Sequence, residues 1–110
     1  MLDPFTKKRI EKIMDHFIKA NNSGRSNPQR KLKYRIHEDT VTLLDERPIL
    51  LNGQWIEWGI AQFCRSDQGW CIYWRDLKNH WHVLDNVKPN ADFEQQLKIV
   101  EQDCQGIFGD

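Results

Sequence analysis

Apolar and polar residues alternate through the middle of the chain, whereas apolar residues recur every three or four positions at its two ends. Near the N-terminus the helically spaced apolar positions are Phe5, Ile10, Ile13, Met14, Phe17 and Ile18. Asp3 and Pro4 suit a helix start. The Asp3 carboxylate can accept hydrogen bonds from amides of the first turn, and proline fits the first helical position because an N–H there would have no partner within the helix. We therefore expect a first helix that begins at Pro4 and ends in the Asn- and Gly-containing segment 20–24.

The first two strands are predicted from segments 30–36 and 40–44, whose side chains alternate with a period of two. A tight turn over residues 38–39 joins them. This register pairs Ile36 with Val41 and Tyr34 with Leu43. The second strand ends at Arg47–Pro48, and the aliphatic loop 49–53 either covers the edge of the core or contacts a partner.

Residues 55–84 hold all five tryptophans and predict three further antiparallel strands. If Arg65 faces Trp70 across the loop 66–69, apolar residues share one face. This register also pairs Phe63 with Ile72 and Ala61 with Trp74. A second turn over residues 76–79 then pairs Trp74 with Trp81 and Ile72 with Val83.

These registers divide the sheet into two faces. The predicted buried face consists of Ala61, Phe63, Trp70, Ile72, Trp74, Trp81 and Val83, with Trp74 at the centre of the core. The predicted opposite face consists of Gln62, Cys64, Cys71, Tyr73, Arg75, His80, His82 and Leu84. After the linker 86–90, Asn90 should cap a second helix. Its apolar stripe is Phe93, Leu97, Val100 and Cys104.

The predicted fold class is α+β, with an N-terminal helix, an antiparallel meander of about five strands and a C-terminal helix, both helices covering one sheet face. At 110 residues the chain forms a single domain, 1–110. Lys and Arg balance Asp and Glu, so net charge selects no class of partner. No run of about 18 apolar residues is present, and we expect a cytoplasmic protein without membrane contact whose cysteines are free thiols.

Several motifs along the chain resemble one known family. They are Arg47-Pro48, Trp55-Ile56, Ala61-Gln62-Phe63, Trp70-Cys71-Ile72-Tyr73-Trp74, Asp76-Leu77, His80-Trp81-His82 and the C-terminal run from Asp103 to Gly109. The sequence is similar to a small bacterial family known only as a domain of unknown function. It departs from that family in having no Gly at the first turn and in having His80 before the Trp-His pair. The resemblance implies one fold unit, and it implies no activity, cofactor or partner.

A run of basic residues is the main local charge asymmetry, since no acidic residue occurs between Asp15 and Glu38. Lys31, Lys33 and Arg35 share one strand face at intervals of about 7 Å, close to the spacing of phosphates in an extended nucleic acid. Arg30 precedes them. The alternative is a solvated strand whose charges only prevent edge-to-edge aggregation.

Two histidines and two cysteines could form a soft metal site, because His80 and His82 share one strand face and Cys64 lies opposite Cys71. The alternative is that the imidazoles bond Tyr73, Arg75 or water. Arg75 and Asp76 beside His80 could also form an acid–base set. No nucleophile or phosphate-binding loop accompanies that set. The sequence therefore leaves enzymatic activity uncertain and disfavours it.

The sequence favours a non-catalytic protein-interaction module that binds an unknown partner or itself, and no cofactor is predicted. One alternative is a single-stranded nucleic-acid binder that uses the basic strand 30–35. Another is an enzyme or metal site around His80 and His82. The candidate binding residues are Arg30, Lys31, Lys33, Arg35, Tyr73, Arg75, His80 and His82.

Overall fold

The computed structural model describes residues 2–23, 31–48, 53–76, 78–85 and 87–102. Its elements are α1 (Pro4–Ser23), β1 (Lys31–His37), β2 (Thr40–Pro48), β3 (Trp55–Ser66), β4 (Gly69–Arg75), β5 (Trp81–Val83) and α2 (Phe93–Gln102). The strands form an open antiparallel sheet in the order β1-β2-β3-β4-β5. The predicted α+β class is thus confirmed. Arg30, residues 49–52 of the predicted aliphatic loop 49–53, and Cys104 lie outside the described residues.

The start of α1 follows from its sequence as predicted. Asp3 Oδ2 accepts a hydrogen bond of 3.2 Å from the Thr6 amide, and the Asp3 carbonyl accepts one of 2.9 Å from the Lys7 amide. The carboxylate therefore satisfies a first-turn amide that has no helical partner. Hydrogen bonding to Thr6 holds the pKa of Asp3 below its usual value.

Two of the three predicted hairpin registers are confirmed. β1 and β2 pair Ile36 with Val41 and Tyr34 with Leu43, across a turn in which Glu38 has a left-handed φ of 53°. β3 and β4 have the predicted partners, but the strands extend to Ser66 and Gly69, so the turn between them is shorter than expected.

Gly69 occupies a position that no other residue fits. Its φ is 121°, and a Cβ atom there would lie 2.6 Å from the Asn90 carbonyl carbon. The close approach exists because Trp70 and Asn90 exchange backbone hydrogen bonds of 2.7 and 3.2 Å. Asn90 therefore forms an isolated antiparallel β-bridge with Trp70 of β4. Its predicted role as the helix cap is wrong, since Asp92 Oδ1 accepts the Glu94 amide at 3.0 Å and caps α2.

The predicted register between β4 and β5 is wrong by one residue. Trp74 faces His82, and Trp81 faces Arg75. The turn spans residues 76–80 because Asp76 Oδ1 accepts the amides of both Lys78 and His80 at 2.9 Å. Asn79 adopts a left-handed φ of 75°, which asparagine tolerates better than most residues.

This shift exchanges the two faces of β5. Val83 is 44% exposed and Trp81 is half-buried, although both were predicted in the core. His82 lies in the row of Trp74, and Leu84 is buried in the core although it was predicted on the opposite face. Trp74 is only partly buried, so its predicted place at the centre of the core is also wrong.

One face of the sheet packs against both helices. Its central row is Ile36, Val41, Phe63 and Ile72, and it contacts Ile10 and Met14 of α1 and Phe93, Leu97 and Val100 of α2. Phe93 packs 5.0 Å from the ring centres of both Phe63 and Trp70. The described helices include none that is long and apolar enough to cross a membrane.

The pairing of β2 with β3 contains an irregularity that the sequence did not predict. Leu43 faces Ala61 but Leu44 faces Gly59, so Ile60 is an extra residue in β3. Because of this shift, Glu46 lies opposite Glu57.

Candidate functional site

The face of the sheet turned away from α1 and α2 is called the outer face. Register assigns it two rows of facing residues. One is Arg35, Thr42, Gln62, Tyr73 and Val83, and the other is His37, Thr40, Cys64 and Cys71. Gln62 Nε2 donates a hydrogen bond of 3.3 Å to Thr42 Oγ1 within the first row. The outer face therefore carries mixed polar, aromatic and thiol groups, as predicted for its β3 and β4 part.

The basic strand β1 lies at one edge of the sheet, and its described cations are paired. Lys33 Nζ lies 2.9 Å from Glu57 and 3.4 Å from Glu46, and Arg35 also bonds Glu57. Hydrogen bonds from Lys33 and Arg35 hold the pKa of Glu57 below its usual value, and the bond to Glu57 raises the pKa of Lys33. Lys31 faces Glu46 in the register. This strand thus presents much less net positive charge than its sequence indicates.

A second group on the same sheet combines aromatic rings with a guanidinium group, and we call Trp58, Gly59, Arg75 and Trp81 the Arg75 cluster. The Arg75 guanidinium carbon lies 4.4 Å from the centre of the Trp58 ring. A Cβ atom on Gly59 would lie 2.9 Å from Trp81 Cζ2, so the indole rests directly on the glycine backbone. Within the described residues Arg75 has no carboxylate partner.

Asp76 and the two histidines form a third group at the β4–β5 turn. His82 Nε2 and Asp76 Oδ2 share a hydrogen bond of 2.6 Å, whereas His80 Nδ1 lies 3.9 Å from the same oxygen. That bond to His82 lowers the pKa of Asp76 to about 2. His82 also stacks on Trp74, with ring centres 4.7 Å apart.

The hydrogen bonds of Asp76 fix the β4–β5 turn. Both Asp76 oxygens are occupied, one by two backbone amides and one by His82. No hydroxyl or thiol of the described residues bonds His82.

A comparison with protein families gives the identity of the fold unit. The family model described as Domain of unknown function (DUF3024) matches residues 2–110. The chain belongs to this family. No curated protein and no solved structure matches the chain. The function of this DUF3024 domain must therefore be argued from its own surfaces.

The four residues considered for a metal site are not brought together in the described part of the DUF3024 domain. Cys64 and Cys71 face each other on the outer face, where their Sγ atoms lie 3.5 Å from Thr40 Oγ1 and 3.8 Å from Ser66 Oγ. His82 lies in the row of Trp74 on the other face. The described part of the chain contains no group of three or more potential metal ligands. Burial raises the pKa of the Cys64 thiol.

Sequence reasoning selected Arg75 but missed the two tryptophans beside it. Trp81 was assigned to the core because apolar side chains in a hairpin are expected to face inwards. Gly59 held the missing signal, since an isolated glycine within a strand often marks the close approach of another group. Tyr73 lies on the outer face as expected, whereas His80 lies in the turn.

Proposed function

We propose that this DUF3024 domain is a non-catalytic protein-interaction module whose outer face binds an acidic segment of another protein. The Arg75 cluster is the observation that carries the proposal. It places Arg75, which has no carboxylate partner among the described residues, between Trp58, which is 39% exposed, and Trp81. Trp, Tyr and Arg are the side chains most enriched among residues that dominate binding energy in protein interfaces.

The distribution of exposed apolar side chains supports the same surface. Among the described residues the exposed large apolar side chains are Phe5, Ile56, Trp58 and Val83. Three of these four belong to β3 and β5, and Trp58 among them contacts Arg75. Since α1 and α2 pack on the other face, a partner can approach this part of the sheet without displacing a helix.

The expected negative charge of the partner follows from the hydrogen-bond donors of Arg75 that are available for a carboxylate. A guanidinium group stacked on an aromatic ring keeps its donors at the ring edge available, and a carboxylate can accept two of them at once. Lys33 and Arg35 already have such partners in Glu46 and Glu57. An acidic side chain of the partner can therefore form an ion pair with Arg75. It would bind more weakly at the β1 edge, where Lys33 and Arg35 are already paired.

The nucleic-acid alternative has weaker support. Phosphates placed along β1 would lie beside the carboxylates of Glu46 and Glu57, which repel them. Counterion release, the main source of such affinity, requires cations that are not already neutralised by the protein. We also propose a cytoplasmic location, in which the thiols of Cys64 and Cys71 stay reduced.

An affinity-capture experiment with matched variants tests this function. The double substitution Trp58→Ser with Arg75→Ala removes the ring and the guanidinium, and Phe5→Ser is the control because Phe5 is 88% exposed on α1. Folding of each variant is checked by circular dichroism. We expect a protein that wild type and the control retain and the double variant loses, unaffected by nuclease. The purified partner should bind at least tenfold more weakly when its acidic residues are replaced by Asn or Gln.

The other outcomes contradict the proposal. Retention that nuclease abolishes indicates a nucleic acid as the ligand. A dimer of the wild type that the double variant disrupts, measured by light scattering, indicates that a second copy occupies the face. Equal retention by all three proteins, or retention of no protein, excludes the Arg75 cluster as the binding surface.

A further inference from the structure

A groove lies on the helix-covered side of the molecule, between α1, the β3–β4 hairpin and the start of α2. It has a volume of about 340 Å³. Ile10, Ile13, Trp70 and Phe93 form its apolar lining, and the side chains of Arg9 and Arg65 also line it. Small-molecule sites typically begin at about 300 Å³ and combine an apolar lining with a few polar groups.

The charged side chains that line the groove are Arg9, Arg65 and Asp92. The Arg65 guanidinium carbon lies 5.8 Å from the centre of the Trp70 ring, and within the described residues Arg65 has no carboxylate partner. Arg9 makes a loose ion pair of 3.7 Å with Glu94, and both side chains are largely exposed. Asp92 also lines the groove, but its Oδ1 is engaged by the Glu94 amide.

We propose that this groove binds a small organic anion with an apolar body, such as a medium-chain carboxylic acid. The carboxylate would meet Arg65, whose guanidinium is oriented by Trp70. The apolar body would lie against Ile10, Ile13 and Phe93. This chemistry follows from the combination of an apolar lining with an arginine that, in the described part of the chain, has no carboxylate partner. The groove and the Arg75 cluster involve different residues, so either site can be present without the other.

Two ligands of equal chain length separate the contribution of the charge from that of the apolar body. Sodium octanoate and 1-octanol are titrated at neutral pH into ¹⁵N-labelled protein. Shifts of the Thr6, Ala91 and Asp92 amides report binding, since all three residues line the groove. We expect octanoate to shift these amides with an affinity at least tenfold higher than that of octanol.

Two variants that each remove one positive charge provide the matched control, because Arg65 lies over Trp70 in the groove whereas Lys98 is an exposed residue of α2 outside its lining. Arg65→Gln should weaken octanoate binding about tenfold and leave octanol binding unchanged, whereas Lys98→Gln should bind as wild type. Thermal melts confirm that both variants fold. The proposal is overturned if octanoate shifts none of the three amides. It is equally overturned if octanoate and octanol bind alike, or if the Arg65 and Lys98 variants behave alike.

Discussion

At the scale of single residues, Asp76 determines more of the local structure than any neighbour. Its carboxylate bonds two backbone amides of the turn and the His82 ring, and the bond to His82 is the main reason that its pKa is lowered to about 2. A carboxyl whose folded pKa lies below its unfolded value contributes stability above that unfolded value, near 4. This contribution is lost as the pH falls from about 4 through about 2.

The substitution Asp76→Asn isolates the bond to His82, because the amide oxygen can still accept the two backbone amides. We expect the variant to be less stable than wild type at pH 7 and the difference to disappear as the pH falls towards 2. Urea unfolding midpoints at several pH values measure this. Asp85→Asn is the control, since it removes an exposed carboxyl of the same type elsewhere on the surface. A difference that stays constant with pH would mean that His82 does not stabilise the Asp76 carboxylate.

At the scale of elements, the sequence determined the register wherever apolar residues on both strands faced the helices. Phe63 and Ile72 are both buried, and a slip of one residue would expose both, so the β3–β4 register could be predicted. β5 has only three residues and lies at the sheet edge. Its register follows from the hydrogen bonds of Asp76 and the left-handed Asn79, and the apolar pattern contains no information about either.

The binding surface was harder to predict than the fold for the same reason. Placing Trp81 next to Arg75 requires the correct β5 register and the absence of a side chain at Gly59. The ion pair between Lys33 of β1 and Glu57 of β3 spans the intervening strand β2. It depends on the shift of register at Leu43/Leu44. Each of these contacts depends on tertiary pairing, which a local pattern of charges does not reveal.

The β3–β4 hairpin predicts a specific disulfide under oxidising conditions. The Arg65 amide donates a hydrogen bond to the Asp39 carbonyl, away from β4. Successive residues of a strand direct their amide and carbonyl to opposite sides, so those of Cys64 point towards β4 and Cys71. Such a pair has Cα atoms about 5.5 Å apart, within the usual range for disulfides. Mild oxidant should therefore produce a Cys64–Cys71 crosslink, detected by peptide mapping.

The rate of this crosslink should rise with pH. Burial raises the pKa of Cys64, and the thiolate is the form that reacts. Cys104→Ser serves as the control and should crosslink as the wild type does. Pairing of Cys64 or Cys71 with Cys104 alone would contradict the hairpin register.

At the scale of the whole molecule, the fold is held together where the central strands meet α2. Phe63 is fully buried, and its ring packs at 5.0 Å against Phe93, which in turn packs edge-on against Trp70. Buried Gln96 reinforces this junction by donating hydrogen bonds to the carbonyls of Trp70 at 2.7 Å and Lys88 at 3.1 Å. Trp74 lies at the side of this cluster and stacks on the exposed His82.

Truncating one aromatic side chain at each place distinguishes a core centred on Phe63 from one centred on Trp74. Phe63→Ala should cost about 3 to 5 kcal/mol, because it leaves a cavity between the sheet and α2 that the surroundings cannot close. Trp74→Ala should cost about 1 to 3 kcal/mol, since part of that side chain already contacts water and its loss leaves an open site. Urea unfolding measures both losses. Leu97→Ala, which also removes a contact of α2, should lower the free energy of unfolding by an amount closer to that of Phe63→Ala than to that of Trp74→Ala. A larger loss for Trp74→Ala than for Phe63→Ala would move the centre of the core towards β5 and contradict the observed β4–β5 register.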